Sequence, residues 1–479
     1  MGTYSIPKVN LLSSNELSTV NHSVTAEQLE DFLKKRGISA NVVYSEDSIV
    51  STVYAIHLTQ GVRVSKINGI LHELSIELKA ADIELMIPIP GTSYLGIRAI
   101  KADAPKALLG DFVKDPVFGA SEKKMRVALG RNLNGKAEWF DFEETPHLLI
   151  AGTTGSGKSV FMDSVITSLI YNLAPEELRF IMIDTHGINL SVFNQLPHLL
   201  IPVVRDARKA LGVLSWVLGE IDYRFEKLSK IGVRSIETYN EQMIAEKGDK
   251  ISRILVVIDD LADVMDSAPK QIEEVVCKIA HKSRQVGIHL LVSTQRPTGD
   301  VLTGMIRENF TGRVAFKTAS GYDSKTIIDV AGAEHLLGNG DMLFKSLGTR
   351  EPLRVQAPFV TDEEIRNVVR FIVDNNQNED VFLVNNDAKS RKDTYSDLAS
   401  LVADKQEEPD ELLYDAGKII IESQKASIGL LQRKLKISFN RATRIIDQLA
   451  EMNVVGPENG AYPRDIFMSL SQFERIVKK

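Results

Sequence analysis

Residues Gly152–Ser159 read GTTGSGKS and directly follow the apolar run HLLIA. Every fixed position matches G-x-x-x-x-G-K-[ST], the spacing that closes backbone N–H groups around phosphate oxygens. Gly152, Thr153, Thr154, Gly155, Ser156 and Gly157 would form that loop, with Val160 inside the helix whose positive end faces the phosphates. Lys158 would reach the β- and γ-phosphates and the Ser159 hydroxyl would ligate magnesium, so the expected cofactors are ATP and Mg2+. Magnesium also needs a carboxylate, and ILVVIDD (Ile254–Asp260) supplies one where an apolar strand ends. Asp259 is the expected metal-associated acid, and Asp260 stands where a base could orient an attacking water. Gln295, ending HLLVSTQ, has the placement of a polar sensor between phosphate and a neighbouring subunit. An apolar run closed by two acids is common alone; its pairing with the phosphate loop gives it weight.

These residues need a scaffold. Between about 116 and 385 the runs HLLIAG, RFIMID, ILVVID, HLLVSTQ and RVAFKTAS alternate with helical patterns. That rhythm predicts an α/β fold with a mainly parallel sheet covered by helices on both faces. Residues 1–115 read as a small α/β unit. In it TAEQLEDFLKKRG is a helix capped by Thr25 and stopped at Gly37, and SIVSTVYAIHL is a strand. KINGILHELSIELKA follows as an amphipathic helix and IELMIPIPG as a second strand. Residues 386–408 are polar and aperiodic, a linker in which SDLASLVA could form a short helix. Residues 409–479 hold three short helical patterns and then VVGPENGAYPRDIFM, a strand–turn–strand; together they make the winged-helix plan.

The chain has 479 residues, 43% hydrophobic and 25% charged, which is ordinary globular composition for two to four domains. A net charge of −7 excludes a generic polycation, so nucleic-acid binding requires local basic patches. One patch is present: from Lys425 to Arg444 there are six Lys or Arg and no acid. Cys277 is the single cysteine, which removes any disulfide framework or Cys-based zinc site. No apolar run approaches a membrane span and no signal pattern opens the sequence, so the chain reads as soluble and cytoplasmic.

In that basic patch SFNRATRIID places Asn440, Arg441 and Arg444 at the start of a helix, with Ala442, Ile445, Ile446 and Leu449 on its other side. After a helix–turn this is where a recognition helix enters the major groove. Asn440 could pair with adenine, and Arg441 or Arg444 with the O6 and N7 of guanine. Lys434 and Lys436 would hold phosphates, and Arg464 on the hairpin would enter the adjacent groove or grip phosphate. A basic helix binding DNA without sequence preference, or docking a protein, is the plainer alternative.

HLLIAGTTGSGKSV, the PHLL at 197–200, GVRSIETYN, STQRP, GAEHLLGNGDML and ESQKASIGLLQRKLKISFNRATRIID resemble, in order and spacing, the FtsK/SpoIIIE family of DNA translocases. The resemblance spans roughly residues 25 to 470 and is strongest in the central block and the tail. It implies a homohexameric ring that runs along double-stranded DNA on ATP hydrolysis and moves chromosomes at division. It implies an N-terminal α domain, a RecA-like β motor and a C-terminal γ winged helix. By position it makes Arg284, in HKSRQVG, a trans-acting arginine finger, and Arg296, Arg307 and Lys325 contacts to the DNA backbone inside the ring. It implies a short G-rich, strand-asymmetric target and a site-specific tyrosine recombinase as a partner. The chain departs from the family at Asp260, where Glu is usual, and at Asp184-Thr185-His186 with Asn189, where D-P-K and a later acid are usual. Gly321 stands where many relatives carry a DNA-contacting Lys, and IPGTSYLGIRAIKA replaces a loop that the family follows with Val-Pro-Asn. The membrane segments of many relatives have no counterpart in this sequence, which implies either a soluble variant or recruitment to the septum or membrane by a segment or partner outside it. Two other readings stay open here. One is a conjugation- or secretion-type coupling ATPase moving protein or single-stranded DNA; the other is a catalytically weak DNA-binding scaffold. The first has no reason to carry a sequence-reading winged helix, so the tail discriminates.

Overall fold

The computed structural model describes residues 4–15, 25–89, 92–119, 125–376, 398–402, 412–423, 425–437, 439–452, 454–456, 466–470 and 473. Helix Ala26–Lys35 begins on a reciprocal cap, Thr25 Oγ1 accepting from the Gln28 N–H while the Gln28 side chain accepts from the Thr25 N–H. It packs on an antiparallel sheet of β1 (Ala40–Asp47), β2 (Ser51–Leu58), β3 (Ala80–Met86) and β4 (Leu95–Lys101), ordered β1-β2-β4-β3. The single helix expected from KINGILHELSIELKA is broken into Val64–Asn68 and Leu71–Glu77, with Gly69 closing the first turn. The edge strand β1 is missing from the sequence reading because most of its residues face solvent and leave no apolar run.

The nine-stranded sheet comprises β5 (Arg126–Asn132), β6 (Ala137–Asp141), β7 (His147–Ala151), β8 (Leu178–Asp184), β9 (Arg253–Asp259), β10 (Ile288–Thr294), β11 (Gly312–Phe316), β12 (Asp341–Lys345) and β13 (Leu353–Gln356). Its order is β6-β5-β13-β12-β11-β7-β10-β9-β8. The five strands expected from the sequence form the parallel part, β11 to β8. The remaining four add on antiparallel beside β11. Successive residues of the parallel strands enter different cores. Leu148, Ile150, Leu255, Val257 and Leu291 join one cluster, and Leu149, Ala151, Val256, Ile258, Leu290 and Val292 the other. Helices Lys158–Asn172 and Asp362–Asn375 cover the first face; Ala207–Ile231, Leu261–Ser267 and Pro269–Lys282 cover the second.

The small sheet is joined to the large one by buried and partly buried polar bonds. Ser51 Oγ donates to Leu133 O at 2.6 Å, and Arg354 of β13 forks between Asp82 (2.9 Å) and Asp341 (2.7 Å). Contacts accordingly gather Met1–Val402 into one unit and Ala403–Lys479 into a second. Most of the expected linker lies outside the described residues, but 398–402 is helical and packed rather than free. Leu398 is fully buried, and Lys209 Nζ donates to Val402 O at 3.0 Å.

The second unit has helices Leu413–Ser423, Ile428–Leu435 and Phe439–Glu451, then an antiparallel bridge between Val455 and Ile466, consistent with the winged-helix plan; the turn of the expected hairpin, 457–465, lies outside the described residues. Its core is Ala416, Ile420, Leu431, Ala442, Ile445, Ile446, Leu449 and Phe473. Among the described residues no helix is long and apolar enough to cross a membrane. A Cβ added at Gly417 would lie 2.6 Å from Phe473 Cε1. Gly417→Ala should therefore destabilise this unit by about 1–3 kcal/mol through overpacking. Hydrogen exchange should show faster exchange in Leu413–Ser423 with Lys158–Asn172 unchanged.

Candidate functional site

β7 sits near the centre of the sheet, and the chain leaves its C-terminal end as a loop wrapped tightly against two neighbours. Gly152 has φ 154° and lies against Phe316, and Gly157 has φ 116° and lies against the backbone of Gly340. A side chain at either position would meet both positive φ and a steric wall. Gly340 N donates to Ser156 O at 2.9 Å, and Thr153 donates through N and Oγ1 to Lys317 O at 2.9 and 3.0 Å. Lys158 opens the helix and is buried, its Nζ folded back on Gly152 O (2.9 Å) and Thr153 O (2.8 Å). Burial lowers its pKa to about 8, against the raising influence of Asp260 and Asp259. Ser159 follows, half-buried.

Asp259 ends β9 with both oxygens held. Oδ1 accepts from Ser293 Oγ (2.9 Å) and Oδ2 from Asn189 Nδ2 (2.7 Å). Burial pushes its carboxyl up, and the two hydrogen bonds oppose that. Asp260 adopts φ 57° and caps helix Leu261–Ser267, its Oδ1 accepting from Ala262 N (3.2 Å) and Thr294 Oγ1 (3.1 Å). Asp184 accepts from Gly187 N and Leu190 N, which folds the following loop so that Asn189 reaches Asp259. His186 pairs with Asp263 at 2.8 Å on the capped helix. Gln295 Oε1 accepts from Thr154 Oγ1 at 2.6 Å, so the end of β10 touches the phosphate loop. Ser293 and Thr294 carry no assignment from the sequence, where their one signal is a polar triplet, Ser293–Gln295, closing an apolar strand; Asn189 stands out there only as a departure from the family's usual acid.

Charge balance supports a cation at this edge. Asp259, Asp260 and Asp184 are buried, with Lys158 the cation that couples to the first two. Asp163, in the loop's helix, is driven well up by burial and by the charges of Asp362, Asp259 and Asp184, and its Oδ1 has no hydrogen-bond partner. A hard divalent ion suits this excess of carboxylate oxygen, and Ser159 and Asp259 offer the oxygen donors that Mg2+ takes.

Arg284 lies elsewhere. It is exposed on the turn Arg284–Val286 before β10, whereas Gln295 follows β10. A seven-residue strand spans about 20 Å, so Arg284 is out of reach of its own chain's phosphate loop. The turn is anchored by buried Arg224, whose Nη1 donates to Val286 O (2.8 Å) and whose Nε pairs with Glu220 (2.7 Å). Arg296 is exposed and paired with Asp266 at 2.7 Å. Arg307 is half-buried on helix Gly304–Asn309 and Lys325 exposed on helix Gly321–Ile328. In the second unit Lys434 and Lys436 are exposed and Arg441 is half-buried. The side chains of Asn440 and Arg444, and all of Arg464, lie outside the described residues.

The lowered pKa of Lys158 has a measurable consequence. At pH 9 a lysine of pKa about 8 is mostly neutral, and a phosphate beside it restores the charged form. Binding of ATP or pyrophosphate at pH 9 should therefore take up a proton, seen by calorimetry in buffers of different ionisation enthalpy and lost in Lys158→Ala. In the free protein the same burial lowers stability below pH 8, and the penalty lifts as pH rises toward the ordinary lysine value.

Comparison with known proteins matches three consecutive blocks of this chain: the FtsK alpha domain over residues 6–99, the FtsK/SpoIIIE family over 109–299 and the Ftsk gamma domain over 407–469. DNA translocase FtsK of Clostridium acetobutylicum is 38% identical over 473 residues, covering 97% of this chain and 61% of the relative. DNA translocase FtsK of Caldanaerobacter subterraneus subsp. tengcongensis is 37% identical over 482 residues, covering 100% and 66%. DNA translocase SpoIIIE of Bacillus subtilis is 36% identical over 484 residues, covering 99% and 60%. The chain thus spans less than two thirds of each relative's length. Among solved structures, the pCW3 conjugation coupling protein TcpA in its monomer form with ATPγS superposes with a TM-score of 0.53 at 20% identity, over 72% of this chain and 99% of that one, a likeness of fold. With three family blocks in order and relatives aligned over nearly the whole of this chain, the chain belongs to the FtsK/SpoIIIE family.

Proposed function

We propose that this chain is the motor and DNA-reading part of an ATP-driven double-stranded DNA translocase that works as a homohexameric ring in chromosome partition at cell division. The observation that carries the reading is the meeting of the phosphate loop, Asp259, Asp260 and Gln295 at one edge of the parallel sheet, with Arg284 about a strand's length away. The likeness to curated DNA translocases points the same way.

In this reading the loop's N–H groups and Lys158 hold the β- and γ-phosphates, Lys158 exchanging its contacts with Gly152 O and Thr153 O for phosphate oxygens. Ser159 and Asp259 would hold Mg2+, which when bound would supply positive charge to offset that of the phosphates. Asp260 keeps Oδ1 on the helix cap and turns Oδ2 to the attacking water, accepting its proton. Asn189 and Ser293 fix the plane of the Asp259 carboxylate. Gln295 relays the state of the phosphate loop through Thr154, and Arg284 serves the nucleotide of the next subunit. Arg296, Arg307 and Lys325 line the ring against the DNA backbone. The winged helix, through Asn440, Arg441, Arg444, Lys434, Lys436 and Arg464, orients the motor on a strand-asymmetric sequence and docks a site-specific tyrosine recombinase. The ring acts in the cytoplasm at the division septum.

The deciding experiment is displacement of a triplex-forming strand from linear duplex with ATP. Displacement is expected; ATP turnover without it would replace this reading with a coupling ATPase for another substrate. A second outcome concerns Asp260. Asn retains the cap acceptor but not the base, so Asp260→Asn should lower ATP turnover about a hundredfold or more while ATP binding survives. Asp260→Ala also removes the cap and should cost about 0.5–2 kcal/mol of stability, read by thermal unfolding.

A further inference from the structure

Arg313 lies on β11 between the two short helices that carry Arg307 and Lys325, and its guanidinium bonds to both. Nε donates to Phe310 O (2.9 Å) and Nη2 to Arg307 O (2.6 Å), at the end of helix Gly304–Asn309. Nη1 donates to Ile327 O (3.3 Å) and to Asp329 Oδ2 (3.0 Å), at the end of helix Gly321–Ile328. Its direct cross-strand partner on β12 is Lys345. Two cations placed opposite each other on a sheet repel unless something stands between them. Asp329 does, accepting from Lys345 Nζ at 2.9 Å as well as from Arg313, while Lys345 Nζ also donates to Ile328 O at 3.0 Å. Asp329 is itself the left-handed cap of the second helix, φ 65°, its N–H bonded to Lys325 O. The negative ends of both helices therefore rest on one pair of strand-borne cations.

The strand that carries Arg313 continues to the nucleotide. β11 runs parallel to β7, with Arg313 beside Leu149 and Ala315 beside Ala151. Just beyond β11, Lys317 O accepts both the N–H and the hydroxyl of Thr153 in the phosphate loop. We propose that Arg313, with Asp329 and Lys345, is a positioning brace that makes the helices of Arg307 and Lys325 one body on β11 and couples that body through Lys317 to the phosphate loop. Neither Arg313 nor Lys345 touches DNA in this arrangement; each acts through the helices it holds. The inference rests on the reading that those helices contact DNA and that the loop turns over ATP.

The test is Arg313→Lys in the full chain. Lysine keeps the charge, but a single ammonium cannot span the carbonyls of both helices as a planar fork does. Hydrogen exchange at Phe310 and Asp329 should speed up at least several-fold, a readout that needs neither DNA nor ATP. DNA-free ATP turnover and the salt slope of DNA binding should stay as in the wild type, while DNA-stimulated turnover falls about tenfold. Unchanged exchange in both helices overturns the brace. Faster exchange with full DNA stimulation overturns the coupling. A salt slope lower by about one makes Arg313 a phosphate contact instead. Proportional loss of basal and stimulated turnover reduces it to a fold residue. If Arg313→Lys does not fold, Lys345→Gln removes one arm and carries the same measurements. Arg307→Ala with Lys325→Ala is the separate check: an unchanged salt slope there removes DNA from these helices and leaves the exchange result to stand alone.

Discussion

A parallel sheet buried on both faces decides where this protein can do chemistry. Strands such as Leu178–Asp184 and Ile288–Thr294 are buried at every residue, so no charged group can operate from their middles. Polar function is forced to the strand ends. The C-terminal edge receives the phosphate loop after β7, Asp184 after β8, Asp259 and Asp260 after β9 and Gln295 after β10. The opposite end of β10 receives Arg284. One chain therefore holds a phosphate site and, a strand length away, an exposed arginine with no phosphate of its own to meet. In the proposed ring a neighbouring copy of the same chain would bring the two together, which is the trans role that the family resemblance implies for Arg284.

The crowding of acids at the working edge is a liability that the fold manages by hydrogen bonding. Asp259 is held by a hydroxyl and an amide, and Asp184 by two backbone N–H groups. The neutral Asn189 matters here, because an acid in its place would set a second negative charge against Asp259. Asp260 shows why the shorter acid suits this chain. It caps the helix it begins by accepting from a backbone N–H two residues on. Asp closes that small ring with little strain, and Asp tolerates positive φ for the same reason. Glu, one methylene longer, is a poorer cap, so the departure from the family's usual residue is matched by a local gain in structure.

Much of this was legible in the sequence, for specific reasons. The five parallel strands announce themselves because burial on both faces demands unbroken apolar runs. The phosphate loop is legible because its glycines answer steric walls, Phe316 and Gly340, that no other residue fits. The four antiparallel strands β5, β6, β12 and β13 escaped notice because they are short, or mix apolar with polar residues as partly solvated strands do. The partners of Asp259 and Asp260 escaped because their contacts cross between chain segments dozens of residues apart, over which spacing carries no signal. Helix 398–402 was anticipated only as local propensity; its docking depends on Lys209 and on a buried Leu398, which a linker's polar composition hides.

Four cations of the first unit differ in what they are bonded to, and the difference bears on how a chain of net charge −7 would hold DNA under the proposed function. Arg296 is paired with Asp266 in the open, both side chains about half exposed or more. Such pairs contribute about 0–1 kcal/mol, so a phosphate can displace the carboxylate at little cost. Lys325 is exposed. Arg313 and Lys345 are different. Their donors are committed to backbone carbonyls and to Asp329 in partly buried positions, where a vacated carbonyl would be left unsatisfied. They cannot leave to follow a phosphate. In the proposed motor the first two would exchange onto passing DNA, while the second two would keep the helices of Arg307 and Lys325 attached to the strand that ends beside the phosphate loop. The proposed motor would need both, because contacts that exchange transmit force only when what carries them does not.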